Sequence, residues 1–237
     1  MEFDINGFIN EESPGESICR EERQYAALLY EVLIRAKNGI IGNYSDIVNK
    51  ILPEGARIIH VYYEATLMRD YFNCLSKEEK IEFNEMLLTK CGAYNDDFKI
   101  IEDSLGSPSK EWKKIQDSIG DKKKRFRLQY ARYMMRAKPD LFVVFENDKR
   151  VYAKIIECKY TQKEGKYKDK DGRLTIGQEK VQKNILDFLF GENGLIKFEG
   201  ENVYSDGVVE VNFDDETSNN GIIISKNKLI SNVYKHK

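Results

Sequence analysis

Apolar positions in this chain recur first every three to four residues and later every two, and the change of period divides it. In 21–40, "REERQYAALLYEVLIRAKNG", Tyr25, Leu28, Leu29, Val32, Leu33 and Ala36 form one stripe. That spacing predicts an amphipathic helix ended by Gly39. A shorter helical piece around "SDIVNKIL" stops at Pro53. The segment 56–72, "ARIIHVYYEATLMRDYF", reads as an aromatic-rich helix. "SKEEKIEFNEMLLTKCG" reads as another, opened by a Ser76-x-x-Glu79 capping box and closed by Gly92. The first twenty residues read as poorly ordered, and 93–120 as irregular or weakly helical.

Beyond that point the period shortens. In "KRFRLQYARYM", Phe126, Leu128 and Tyr130 alternate with Arg125, Arg127 and Gln129, a strand-like pattern, with a helix packed elsewhere as the alternative. "LFVVFE" is continuously apolar, as a strand covered on both faces would be. "NDKR" suits a hairpin turn, and "VYAKIIECKY" returns as the next strand. After a charged loop, "TIGQEKVQKNILDFLF" predicts a helix with Val181, Ile185, Phe188 and Leu189 on one face and a Thr175-x-x-Gln178 capping box. "GVVEVNF" and "GIIISK" are further strand candidates. The order is helix, three strands, helix, strand. With no linker in sight, 1–237 reads as one α/β domain, mainly helical over 1–115 and sheet-bearing over 120–237.

Composition narrows the chemistry. A hydrophobic content of 41% with 33% charged residues suits a globular protein in water. No apolar run is long enough to cross a bilayer, and the acidic start does not resemble a signal peptide, so a cytoplasmic location is expected. Cys19, Cys74, Cys91 and Cys158 are scattered, and His60 and His236 are the only histidines. A zinc site or a histidine-based mechanism therefore lacks ligands, and carboxylates, lysines and a hard cation remain. The net charge of −2 conceals an asymmetry: 122–138 holds eight basic residues and no acid. Lys122, Lys123, Lys124, Arg125 and Arg127 are candidate phosphate contacts on that ground. Lys163, Lys166, Lys168, Lys170 and Arg173 in the charged loop offer a second basic stretch.

Three charged residues sit where apolar ones are expected. Ile155, Glu157 and Lys159 share one side of their strand, and Asp140 precedes the strand paired with it. Two carboxylates brought together repel and are costly to bury. Magnesium would resolve both problems, because it takes oxygen ligands and keeps waters for a phosphate substrate. Lys159 adds a compact positive charge beside it.

"Pro139-Asp140 … Glu157-Cys158-Lys159", with 17 residues from acid to acid, resembles the PD-(D/E)xK nuclease superfamily. The likeness covers roughly 120–190 and extends to the order of elements. It implies a restriction-endonuclease-like core (helix, three mainly antiparallel strands, helix, strand) with a helical N-terminal elaboration. It also implies that Asp140, Glu157 and the Cys158 carbonyl are metal ligands and that Lys159 is catalytic. A further acid on the helix before the sheet would be Glu64, preferred to Glu31 because it lies on an apolar stripe. Gln178 and Gln182, four apart on the following helix, would steady the site or touch the substrate backbone, with capping and solvation as the alternative. Within the superfamily the chain looks most like a type II restriction endonuclease. That implies a homodimer hydrolysing double-stranded DNA with Mg2+, and a cognate DNA methyltransferase as genetic partner. The alternatives are a nuclease subunit of a modification-dependent restriction system acting with a separate NTPase motor, a junction resolvase, and a catalytically silent DNA-binding protein of the same fold.

Overall fold

The structure, a computed structural model, describes residues 17–40, 45–93, 118–159, 166–168, 175–213 and 221–234. Its centre is a mixed sheet in the order β1-β2-β3-β7-β6, with β8 (Ile222–Ile223) beside β7. β1 (Arg57–Tyr63), β2 (Leu141–Asn147) and β3 (Arg150–Lys159) run antiparallel in sequence. β7 (Glu201–Asn212) pairs parallel to β3, and β6 (Lys197–Phe198) antiparallel to β7. β4 (Lys166–Lys168) and β5 (Thr175–Gly177) form a separate small ribbon.

Helices cover both faces. On one lie α1 (Ser17–Lys37), α2 (Ser45–Ile51) and α7 (Lys226–Tyr234), packed on Leu141, Val143, Phe145, Ile156 and Cys158. On the other lie α3 (Leu67–Cys74), α4 (Lys77–Lys90), α5 (Lys122–Arg136) and α6 (Gln178–Leu189), packed on Phe142, Val144, Ala153 and Ile155. Coverage on both sides is why β2 reads as an unbroken apolar run. The period of two in β2 and β3 divides their side chains between the two cores, so a register slip by one would exchange them. Removing a ring as buried as Phe145 would cost about 3–5 kcal/mol.

Several expectations hold. The α1 stripe is buried at Leu28, Leu29, Val32 and Leu33. The Ser76–Glu79 capping box opens α4, and Gly92, at φ 64°, follows its last turn. The β2–β3 hairpin turns at Asp148 and Lys149.

Four expectations are corrected. Residues 56–72 are not one helix: β-branched and aromatic residues extend 57–63 into β1, the chain breaks at Glu64 with φ 50°, and α3 begins at Leu67. The basic segment is helix α5, not a strand, because Leu128, Ala131, Met134 and Met135 bury one helical face and Asp121 caps it through Lys123 N and Lys124 N. The first antiparallel strand is therefore 57–63. Thr175 belongs to β5, so no capping box forms with Gln178; Gly177 occupies the N-cap of α6 without a side-chain bond. "GIIISK" contributes only β8, and the chain then turns into α7, a helix the pattern did not suggest. The expectations for 1–16 and 94–117, and most of the charged loop, lie outside the described residues.

No helix among the described residues is long and apolar enough to cross a membrane. Cys74, Cys91 and Cys158 form no disulfide.

Candidate active site

The β2–β3 register sets the first contact. Leu141 pairs with Ile156, so one step further Asp140 stands opposite Glu157 at the open end of the hairpin. Phe142 and Ile155, two residues inward, belong to the α3–α6 core, and Asp140 and Glu157 share their side of the sheet. On the outer flank Tyr63 pairs with Leu141, and Glu64 N donates to Asp140 O at 2.9 Å. On the inner flank Glu157 pairs with Glu210 and Lys159 with Asn212. Glu64, Asp140, Glu157 and Glu210 thus form a transverse row of acids over four strands, about 14 Å from end to end at the usual strand spacing.

Each acid is held differently. Asp140 Oδ2 accepts from Cys158 N at 2.8 Å, which fixes its carboxylate against β3. Glu157 is only 4% exposed. Its Oε2 accepts from Lys159 Nζ at 3.1 Å and Gln178 Nε2 at 2.7 Å, and its Oε1 from Gln182 Nε2. Gln178 and Gln182 reach it because residues four apart share a face of α6. Glu64 is paired with Lys138 and, at 3.7 Å, Arg23, so its carboxylate already has cations. Glu210 receives Asn212 Nδ2 at 3.3 Å, a neutral donor.

Burial, then repulsion from Asp140, pushes Glu157 up to about 7; the ammonium and hydrogen bond of Lys159 and the bond from Gln182 oppose this incompletely. Asp140 is also raised, chiefly by burial, against the Cys158 amide and Lys159. The pair therefore resists carrying two negative charges without additional positive charge.

The donor set fits a hard divalent cation. Among the described residues no three acidic, histidine or cysteine side chains converge to hold a metal by themselves. Magnesium does not require that, since it is commonly held by one or two carboxylates, with waters and substrate phosphate completing the octahedron. Asp140 and Glu157 meet the requirement. Gln182 adds a buried Oε1 with no hydrogen-bond partner, an oxygen acceptor beside Glu157. Cys158 can contribute only through its backbone, for its thiol lies in the opposite core.

The structure brings together Asp140, Glu157, Lys159, Gln178 and Gln182, and sets Glu64 alongside through its backbone. It does not bring Lys122, Lys123 and Lys124 there. They are exposed on the first turn of α5, about 21 Å of helix from the turn that leads into Asp140. Arg125 donates to Ile119 O and Arg127 to Gly92 O, so both also brace loops. Glu31 pairs with Arg35 at 2.7 Å on α1. Glu210 was not singled out in the sequence, although an acid inside "GVVEVNF" is the same signal as Glu157 inside "AKIIECKY". No family model matches the chain, and no match is found among curated proteins or solved structures.

Proposed function

We propose that this chain is a Mg2+-dependent endonuclease of the PD-(D/E)xK kind that hydrolyses double-stranded DNA, as a sequence-specific type II restriction enzyme does. The observation that carries the reading is the registered pair Asp140 and Glu157 with Lys159 bonded to Glu157. The fold supports it. Three antiparallel strands, a helix laid over them and a parallel fourth strand bring Asp140, Glu157 and Lys159 together at one end of the sheet, an arrangement that supports the reading.

In this mechanism Asp140 and Glu157 bind and orient. The Cys158 amide fixes one carboxylate, and the two glutamines fix the other. Bound Mg2+ supplies Lewis-acid neutralisation of a phosphate oxygen. Lys159 stabilises the charge that develops on the phosphoryl group and helps orient the attacking water. Two copies, each cutting one strand, suit a palindromic target, and a cognate methyltransferase would protect the host copy of it.

The test is cleavage of a long mixed-sequence DNA in Mg2+ by the parent and by Glu157→Ala and Lys159→Ala variants. Discrete fragments from the parent alone support the proposal. DNA binding without cleavage would redirect it to a subunit that needs an NTPase motor. Neither binding nor cleavage would sink it.

A further inference from the structure

The outer end of the acid row gathers positive charge. Glu64 directly follows β1 with φ 50°, a left-handed setting uncommon outside glycine, and its N donates to Asp140 O at 2.9 Å. That bond fixes its backbone beside the acid pair. Two cations from different parts of the fold converge on its carboxylate. Lys138, two residues before Asp140, meets Oε2, and Arg23, on α1, meets Oε1 at 3.7 Å. Arg23 is itself tied to the sheet, for Tyr63 Oη donates to Arg23 O at 3.3 Å. Burial, then the charges of Glu64 and Asp140, push Tyr63 up to about 12, so the donated proton stays in place.

One carboxylate against an ammonium and a guanidinium leaves these three side chains net positive. Their pairing is also loose. The side chains of Lys138 and Arg23 are 47% and 72% exposed, and that of Glu64 is 27% exposed. Such pairs contribute little, because water screens them and two long side chains must be ordered to make them. A phosphodiester presents what Glu64 presents, two oxygens sharing one negative charge, and Lys and Arg bind it through charge-assisted hydrogen bonds. Binding it also releases counterions from the strand, a gain that pairing with Glu64 lacks. In that competition the phosphate wins.

We infer that Lys138 and Arg23 form a phosphate site on the outer flank, and that Glu64 occupies it as a latch until a backbone phosphate of the bound duplex displaces it. This rests on the nuclease reading above. It gives Glu64 a role other than the metal ligand that the motif implies. Both of its oxygens face cations of the chain, and it acts on affinity for DNA. Chain placement selects the phosphate. Lys138 lies two residues, about 7 Å of extended chain, from Asp140, so the phosphate taken neighbours the one that is cut.

The experiment measures binding of the full chain to a short labelled duplex of mixed sequence, by fluorescence anisotropy in chelator over a salt series. Glu64→Gln removes the competing charge and should bind about two- to fivefold tighter than the parent, the size of the exposed pairs it breaks. Arg23→Ala combined with Lys138→Ala should flatten the slope of log affinity against log salt by more than about one. Arg23→Ala spares the Tyr63 bond, which uses the main chain. In that double variant Glu64→Gln should gain nothing, whereas a general charge effect would persist. Glu146→Gln, at the turn end, should bind as the parent does. The slope is read on exposed residues, so it tests the site even where Glu64→Gln fails to fold. A Glu64→Gln variant that binds no tighter, or gains equally without Arg23 and Lys138, would overturn the latch and leave the nuclease reading intact. An unmoved slope in the double variant would overturn the phosphate site. A parent that does not bind duplex would overturn that site, and the nuclease reading with it if cleavage in Mg2+ is absent too.

Discussion

The two ends of the β2–β3 hairpin carry the same kind of residue pair, a glutamate bonded to a basic side chain. At the turn end Arg57 Nε donates to Glu146 Oε2 at 3.0 Å, with side chains 70% and 33% exposed. At the open end Lys159 meets Glu157 at 3.1 Å, with 13% and 6% exposed. Nearly equal distances conceal opposite physics. Water screens the first pair, and its worth is small. The second sits among buried groups beside another acid, and Glu157 is pushed up to about 7. What separates a site from a surface ion pair is the environment, not the pairing.

Replacing the open-end acids should have the largest effect. Asp140→Asn and Glu157→Gln keep the shape and remove the charge that would bind a cation on the proposed function. On the proposed function each should lower the single-turnover cleavage rate by at least ~10³-fold, and Lys159→Ala by about 10²–10³-fold. Glu146→Gln, at the other end, should change it less than about twofold. A comparable loss at Glu146 would show that both ends bear on the chemistry.

Stability should separate the ends next, with a defined sign. Glu157 has a folded value of about 7, above the ordinary 4.5. Its contribution is therefore fully present below pH 4.5 and is lost as pH rises through 7. In the absence of divalent cations the parent should lose on the order of 3 kcal/mol relative to Glu157→Gln between those limits. Asp140 shifts in the same direction and adds to the trend. Urea unfolding at pH 4.5 and 8 in chelator measures the difference. Added Mg2+ should restore the parent at pH 8 and leave Glu157→Gln unmoved. A flat difference between the two proteins would mean that the pair carries its charge without strain.

Gln182 gives an intermediate effect. Gln182→Leu keeps most of the volume but removes both the donor to Glu157 and the unpartnered carbonyl. The Mg2+ concentration for half-maximal cleavage should rise about 10–100-fold. If only the thermal midpoint falls, Gln182 is a packing residue.

The open end was legible in the sequence because its signals are local. A continuous apolar run, a four-residue turn and two charges at a spacing of two specify a hairpin and one face of it. What surrounds it was less legible. Phe126, Leu128 and Tyr130 alternate over five residues and suggested a strand, yet burial falls on Leu128, Ala131, Met134 and Met135, a helical set in which small Ala131 adds little to the pattern. In 56–72 the residues Val61, Leu67, Met68 and Tyr71 fit a helical stripe across a break that only the left-handed backbone at Glu64 reveals. Glu64 therefore reaches Asp140 from a strand end, not from a helix. Glu210 depended on a parallel register and a bulge, both long-range properties that no window of the chain contains.

The smallest effect belongs to the turn end, and it is the control on which the comparison depends. Arg57 lies on β1, whose other side pairs with no strand among the described residues, and Glu146 on its partner β2. A double-mutant cycle with Arg57→Ala and Glu146→Ala, read from urea midpoints at constant slope, should give a coupling below about 1 kcal/mol that shrinks further in 1 M salt. The same cycle on Lys159 and Glu157 should give a larger coupling that salt barely changes, because buried pairs are screened less. Removing Lys159 alone should also cost more than the pair is worth, since it leaves Glu157 and Asp140 facing each other without an ammonium. If the two couplings matched in size and salt response, burial would not be what distinguishes the two ends, and the high proton affinity of Glu157 would need another cause.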